Sequence, residues 1–137
     1  MNFVLDCSVA MAWCFEDEAT EATDALLDKI RTQGAVVPAI WHLEVANVIV
    51  MGERRGRIQA EQSDLFLEDL ALLPIATDES SRGATSAPIA ALARRARVTA
   101  YDASYLEVAI RRMMPLATRD AALRRAAQSV DVALVLG

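Results

Sequence analysis

The chain has 137 residues, 54% of them apolar and 24% charged, with a formal net charge of −5; this points to one globular domain over residues 1–137 and excludes a disordered or fibrous polymer. No apolar run reaches the roughly 18 residues of a membrane span, and Asp6 interrupts what would be the core of a signal peptide, so a cytoplasmic protein without membrane contact is expected. Residues 1–81 carry five basic and fifteen acidic side chains, net −10, whereas residues 82–137 carry nine arginines and four acids, net +5. The acidic total argues against nucleic acid as a partner, and the arginine-rich second part reopens that class.

In chain order, "FVL" (3–5), "AVV" (35–37), "PIA" (74–76), "PLAT" (115–118) and "VALVL" (132–136) are short apolar runs bounded by Asp, Gly or Pro, as buried parallel strands are. Helical patterns lie between them. Leu26 and Ile30 extend the face of Ala19 and Ala22, and Gly34 stands where that helix ends. "IWHLEVANVIV" (40–50) is a helix apolar around most of its circumference. Three sets keep helical spacing further on: Ile89, Leu92, Ala93 and Ala96; Leu106, Ala109, Ile110 and Met113; Leu123, Ala126, Ala127 and Val130. Glu107 precedes Arg111 by four residues, a pairing for an exposed face. Trp13, Phe15, Trp41 and Met51 read as core or dimer surface, and "ERRGR" (53–57) as a solvated helix end.

Cys7 and Cys14 are too few for a disulfide framework and suit free thiols, and neither sits in a zinc pattern. His42 is the only histidine, in an apolar helix start, which disfavours a Ser-His-Asp or Cys-His pair.

Strands alternating with helices imply a mostly parallel sheet covered on both faces, in which ligands gather outside the carboxyl ends of the strands. Asp6 follows the first strand and Asp120 the fourth. If those strands are neighbours, both carboxylates reach one edge. Asp6, Asp102 and Asp120 each precede or open a helix, so helix capping accounts for each alone. Glu44, inside the apolar helix, has no such explanation. Four carboxylates about 5 Å apart would repel by roughly 3 kcal/mol per pair, so their convergence requires protons, arginines or a bound cation. Oxygen ligands without a Cys or His cluster select Mg²⁺ or Mn²⁺.

Four segments in register, "FVLDCSV" (3–9), "WHLEVANVI" (41–49), "VTAYDASYLEVA" (98–109) and "PLATRDAALRRAA" (115–127), resemble the PIN-domain family, most closely the VapC-type toxin ribonucleases of bacterial toxin-antitoxin pairs. The resemblance implies an α/β, PIN-like three-layer fold in one domain, with a central sheet flanked by helices. It implies a metal-dependent endoribonuclease acting on RNA, with Asp6, Glu44, Asp102 and Asp120 as the catalytic acids that hold Mg²⁺ or Mn²⁺. Ser8, Asn47 and Thr118 become the polar residues that orient them, and Arg119 the best-placed cation for substrate. Arg94, Arg95, Arg97, Arg124 and Arg125 are further candidates, each read singly as solvated helix face. A cognate antitoxin protein and a homodimer are the implied partners. Arg119 and Ala121 flank Asp120, where some relatives carry a further acid.

Other classes meet the same residues and fail. A phospho-receiver domain needs a lysine at a late strand end, and the only lysine is Lys29; a phosphatase of the Asp-x-Asp type needs an acid where Ser8 stands. The remaining alternative is a catalytically silent PIN-like module that acts through protein or RNA contacts.

Overall fold

Parallel pairing of four short strands organises the computed structural model, which describes residues 2–80 and 86–136. The elements run β1 (Val4–Leu5), α1 (Cys7–Cys14), a 3-10 turn (Glu16–Glu18), α2 (Glu21–Gln33), β2 (Ala35–Val37), α3 (Ile40–Arg54), α4 (Ala60–Ala71), β3 (Ile75–Thr77), α5 (Ser86–Ala96), α6 (Ala100–Arg112), β4 (Leu116–Ala117) and α7 (Ala121–Ser129). The sheet order is β3-β2-β1-β4. Every pairing is parallel, with Val4 opposite both Val36 and Leu116, and Leu5 opposite Ala117. Successive residues of β1, β2 and β4 are all buried. Since they point to opposite faces, helices cover the sheet on both sides, which is why these strands read as unbroken apolar runs.

The run at 132–136 does not form the expected fifth strand. It is held to β4 by one parallel bridge, Leu116 with Leu134. On that side β4 offers the N–H and C=O of Leu116 alone, bonded to Ala133 O (2.8 Å) and Val135 N (3.0 Å). Two helices also differ from their sequence pattern. The buried face of α2 is Thr23, Leu26 and Ile30, whereas Ala19 and Ala22 are exposed. A capping box between Thr20 and Thr23 turns Thr23 inward, and the Trp13 indole N–H donates to the Thr23 carbonyl at 2.8 Å. In α6, Leu106 and Ala109 are buried but Met113 is 90% exposed, because the helix ends at Arg112 and Met113 takes a left-handed conformation.

Helix α4 carries no strong apolar pattern: Ser63 and Leu70 are buried while Leu65 and Leu67 are exposed, and its start is set by a capping box between Gln59 and Gln62. Asp78, directly after β3, is fully buried and accepts hydrogen bonds from Arg111 and Arg112 at the end of α6. Arg111 also keeps the expected pair with Glu107, at 2.7 Å.

Gly34 ends α2 at φ +74°, and a Cβ there would lie 2.9 Å from the Pro74 carbonyl oxygen. Gly34→Ala therefore combines left-handed strain with a backbone clash. Urea unfolding should show a loss of about 1–3 kcal/mol, and an unchanged midpoint would contradict the assignment.

Candidate active site

The parallel ladder between β1 and β4 continues one residue beyond the strands, with Asp6 N donating to Ala117 O at 3.0 Å. That register sets Asp6 beside Thr118. Asp6 is 6% exposed and Thr118 fully buried. Asp6 Oδ2 accepts from Ser8 Oγ at 2.6 Å and from Thr118 Oγ1 at 2.7 Å. Each hydroxyl is aimed by a backbone amide: Arg119 N donates to Ser8 Oγ (2.9 Å) and Asp120 N to Thr118 Oγ1 (3.1 Å). A hydroxyl that accepts from an amide must send its own proton elsewhere, here to the Asp6 carboxylate.

Glu44 projects from α3 and is half-buried; its Oε1 accepts from the hydroxyl of Tyr105, which is fully buried on α6. Asp102 lies on the first turn of α6, where the cap is Thr99, whose Oγ1 accepts from Asp102 N at 3.1 Å. Capping thus does not account for Asp102. Its carboxylate accepts no hydrogen bond among the described residues. Asp120 does cap α7, with Oδ1 accepting from Ala122 N (2.8 Å) and Leu123 N (3.1 Å).

Electrostatically the four acids form one group. Asp6 is perturbed by Asp120, Glu44 by Asp6 and Asp102, and Asp102 by Asp120 and Asp6. Burial is the largest cause in each case. It raises Asp6 above the usual carboxylate range against the opposing hydrogen bonds from Ser8 and Thr118, with Asp120 adding repulsion. It raises Glu44 against the bond from Tyr105. Asp102 is pushed from 3.8 to about 6 by burial, then by Asp120 and Asp6. Cys7 is buried, and its thiol is raised by burial and then by the charges of Asp6, Glu44 and Glu18, so it stays protonated.

A hard divalent cation would be held by this donor set only through partial ligation. Among the described residues, no three His, Cys, Asp or Glu side chains stand close enough to grip one ion together. Mg²⁺ usually keeps several waters and takes only one or two carboxylates. Asp102 is unengaged, and the second oxygens of Glu44 and Asp120 are likewise outside the hydrogen bonds made among the described residues. The cation would relieve repulsion that the protein alone leaves in place.

The other expected residues divide. Ser8 and Thr118 join the acids, whereas Asn47 is exposed and makes no hydrogen bond to them among the described residues; it lies beside Val48, Met51 and Gly52. Arg119 is near the site but paired with Glu18 at 3.0 Å. Arg124 donates to the carbonyls of Thr118 (3.2 Å) and Leu136 (2.5 Å), so it braces the end of β4 and is not a solvated face. Arg57 of the "ERRGR" stretch is not merely solvated either, since it pairs with Asp17 and Glu18, both at 3.0 Å. Tyr105 escaped the sequence reading. Its signal is its position three residues after Asp102, on the same helical face.

The PIN domain family profile matches residues 3–129, and the chain belongs to that family. PIN domains are generally nucleases, and PIN nucleases generally use divalent metal ions. Among solved structures, PAE2754 from Pyrobaculum aerophilum is 18% identical with a TM-score of 0.74, over 98% of this chain and 90% of that one. FitAcB from Neisseria gonorrhoeae is 19% identical with a TM-score of 0.59, over 98% and 96%. FitAB bound to an IR36 DNA fragment is 21% identical with a TM-score of 0.53, over 98% and 93%. At such identities the likeness is one of fold. No curated protein matches the sequence.

Because the folded value of Asp102 lies above its usual 3.8, protonation favours the fold; that stabilisation is complete below about pH 3.8 and is lost as pH rises through about 6. Asp102→Asn should therefore raise the metal-free melting temperature at pH 7.5 by a few degrees, for roughly 1 kcal/mol after solvent screening. The gain should shrink toward pH 4. A variant that melts lower at pH 7.5 would refute the raised proton affinity of Asp102.

Proposed function

We propose that the chain is a metal-dependent endoribonuclease that hydrolyses RNA phosphodiester bonds, acting as the toxin of a type II toxin-antitoxin pair. The observation that carries this reading is the electrostatic grouping of Asp6, Glu44, Asp102 and Asp120, delivered from four separate elements to the carboxyl edge of a parallel sheet. In a PIN domain such a group has a hydrolytic purpose. Asp6 and Asp102 would hold Mg²⁺ or Mn²⁺, with Asp120 supporting and Glu44 binding it or orienting water. When bound, the ion neutralises charge at the scissile phosphate and acidifies the attacking water.

The chain's own residues do the positioning. Ser8 and Thr118 hold Asp6 in one rotamer, and Tyr105 holds one oxygen of Glu44 so that the other can accept a proton from water. Arg119 is the cation for a substrate phosphate. The chain acts as one domain over residues 1–137, in the cytoplasm, as a homodimer held by an antitoxin. No described helix is long and apolar enough to cross a membrane.

One observation favours a second reading, a silent PIN-like module that binds without turnover: Asp120 is occupied as a helix cap, and no three acids stand at direct ligating distance among the described residues. Activity separates the two. Purified protein should cleave RNA with Mg²⁺ or Mn²⁺ and stop on chelation. Asp6→Asn or Asp102→Asn should lower the rate at least about 100-fold with an unchanged circular dichroism spectrum. Sequencing RNA ends after induced expression should reveal discrete new 5′ ends. Full cleavage by either variant would defeat the site assignment, and absence of cleavage by the unaltered chain would favour the silent module.

A further inference from the structure

Arg119 sits between Thr118 and Asp120 in sequence, and its side chain is paired with an acid outside the group of four. Its Nη1 donates to Glu18 Oε1 at 3.0 Å and to the Ser8 carbonyl at 3.4 Å. The Nε and Nη2 groups make no hydrogen bond among the described residues. Glu18 is itself held: its Oε2 accepts from Arg57 Nη2 at 3.0 Å. That same nitrogen donates to Asp17 at 3.0 and 3.2 Å, and the Arg57 guanidinium lies 4.1 Å from the centroid of the Phe15 ring. Phe15 is 4% exposed and packs so closely on α3 that a Cβ at Gly52 would come within 2.9 Å of it. A line of alternating charges therefore runs from a rigid part of the core, through Arg57 and Glu18, to the arginine beside the acids.

We infer that Glu18 is a positioning residue: with Arg57 it fixes one edge of Arg119, leaving the Nε–Nη2 edge to receive a phosphate of the RNA backbone. The inference rests on the nuclease reading only for the identity of that phosphate. An arginine on a free side chain must give up rotamer entropy when it binds, and prior anchoring removes part of that cost. The Nε–Nη2 edge is a planar pair of donors that matches two phosphate oxygens. The Arg119 backbone amide aims the Ser8 hydroxyl at Asp6 while its Nη1 reaches the Ser8 carbonyl, so backbone and guanidinium both meet the residue that bonds Asp6. An exposed ion pair alone adds little to stability; the anchoring is therefore read from RNA binding.

The sign of the effect separates positioning from bulk charge. Glu18→Gln removes a negative charge near a polyanion site, so simple electrostatics would tighten RNA binding, whereas lost anchoring weakens it. Binding is measured by fluorescence anisotropy of a labelled single-stranded RNA oligonucleotide in EDTA, where no cleavage takes place. Glu18→Gln should raise Kd about 5- to 10-fold, and Glu18→Asp, with its charge kept and reach shortened, should also raise it. Arg57→Gln should raise Kd less, and adding it to Glu18→Gln should cost little more, as expected for residues acting in series. With Mg²⁺ or Mn²⁺ the same variants should raise KM while kcat stays within about twofold. Kd that falls or stays level in Glu18→Gln, or no binding of the oligonucleotide by the unaltered chain, overturns the inference. RNA binding that weakens as stated in a chain that never cleaves would uphold it while the nuclease reading fails.

Discussion

Burial of the Asp6 carboxylate against Thr118 is the interaction on which the rest of the site depends. It follows from the sheet order, because β1 lies between β2 and β4 and the chain leaves β1 and β4 at the same edge. The hydroxyls of Ser8 and Thr118 partly offset the desolvation of Asp6, and each takes its direction from an amide of the Thr118–Asp120 turn. The resemblance between the ends of the two strands, "VLDCS" and "LATRD", thus has a physical basis. One strand end supplies a carboxylate and a hydroxyl, the other a hydroxyl and two amides, and together they make one cradle.

Repulsion is the second constraint. A domain of this size is stabilised by only about 5–15 kcal/mol, and Asp6, Glu44 and Asp102 each have a raised proton affinity, first from burial and then from the charge of neighbouring acids. The surroundings are arranged to limit this cost without removing the charges. Asp120 faces the amides of α7, Glu44 faces Tyr105, and Asp102 is left open. Elsewhere the fold treats a buried acid differently: Asp78, as deeply buried as any, is matched by two arginines. A carboxylate with guanidinium partners is a structural fastening, whereas Asp6, Glu44 and Asp102 keep their charge without an arginine bonded to them among the described residues.

Much of this architecture was legible in the sequence because parallel strands buried on both faces leave an unmistakable trace, and because acids directly after such strands can only emerge at one edge. Glu44 was legible for the opposite reason, as a charge in a helix with almost no polar face. What the sequence hid depends on contacts between distant residues. Tyr105 reads as one more large residue on α6 until Glu44 is found at its hydroxyl. Glu18 lies in the run "EDE", which carries no motif, and its link to Arg119 spans most of the chain. Helix α4 was hidden because its apolar residues do not keep to one face, and the last apolar run could not be told from a full strand because only one residue of β4 was left to pair with it. Asn47 shows the limit of carrying a motif across: it has the expected position on α3, one turn beyond Glu44, but its side chain does not join the carboxylates among the described residues.

The central claim is that the carboxylates share a divalent ion, and anomalous diffraction from crystals grown with Mn²⁺ tests it most directly. A peak bounded by Asp6 and Asp102, with Glu44 or Asp120 in contact directly or through water, is the predicted result. Mn²⁺ bound only on other surfaces, with these four side chains unchanged and their surroundings free of metal at saturating concentration, would contradict it.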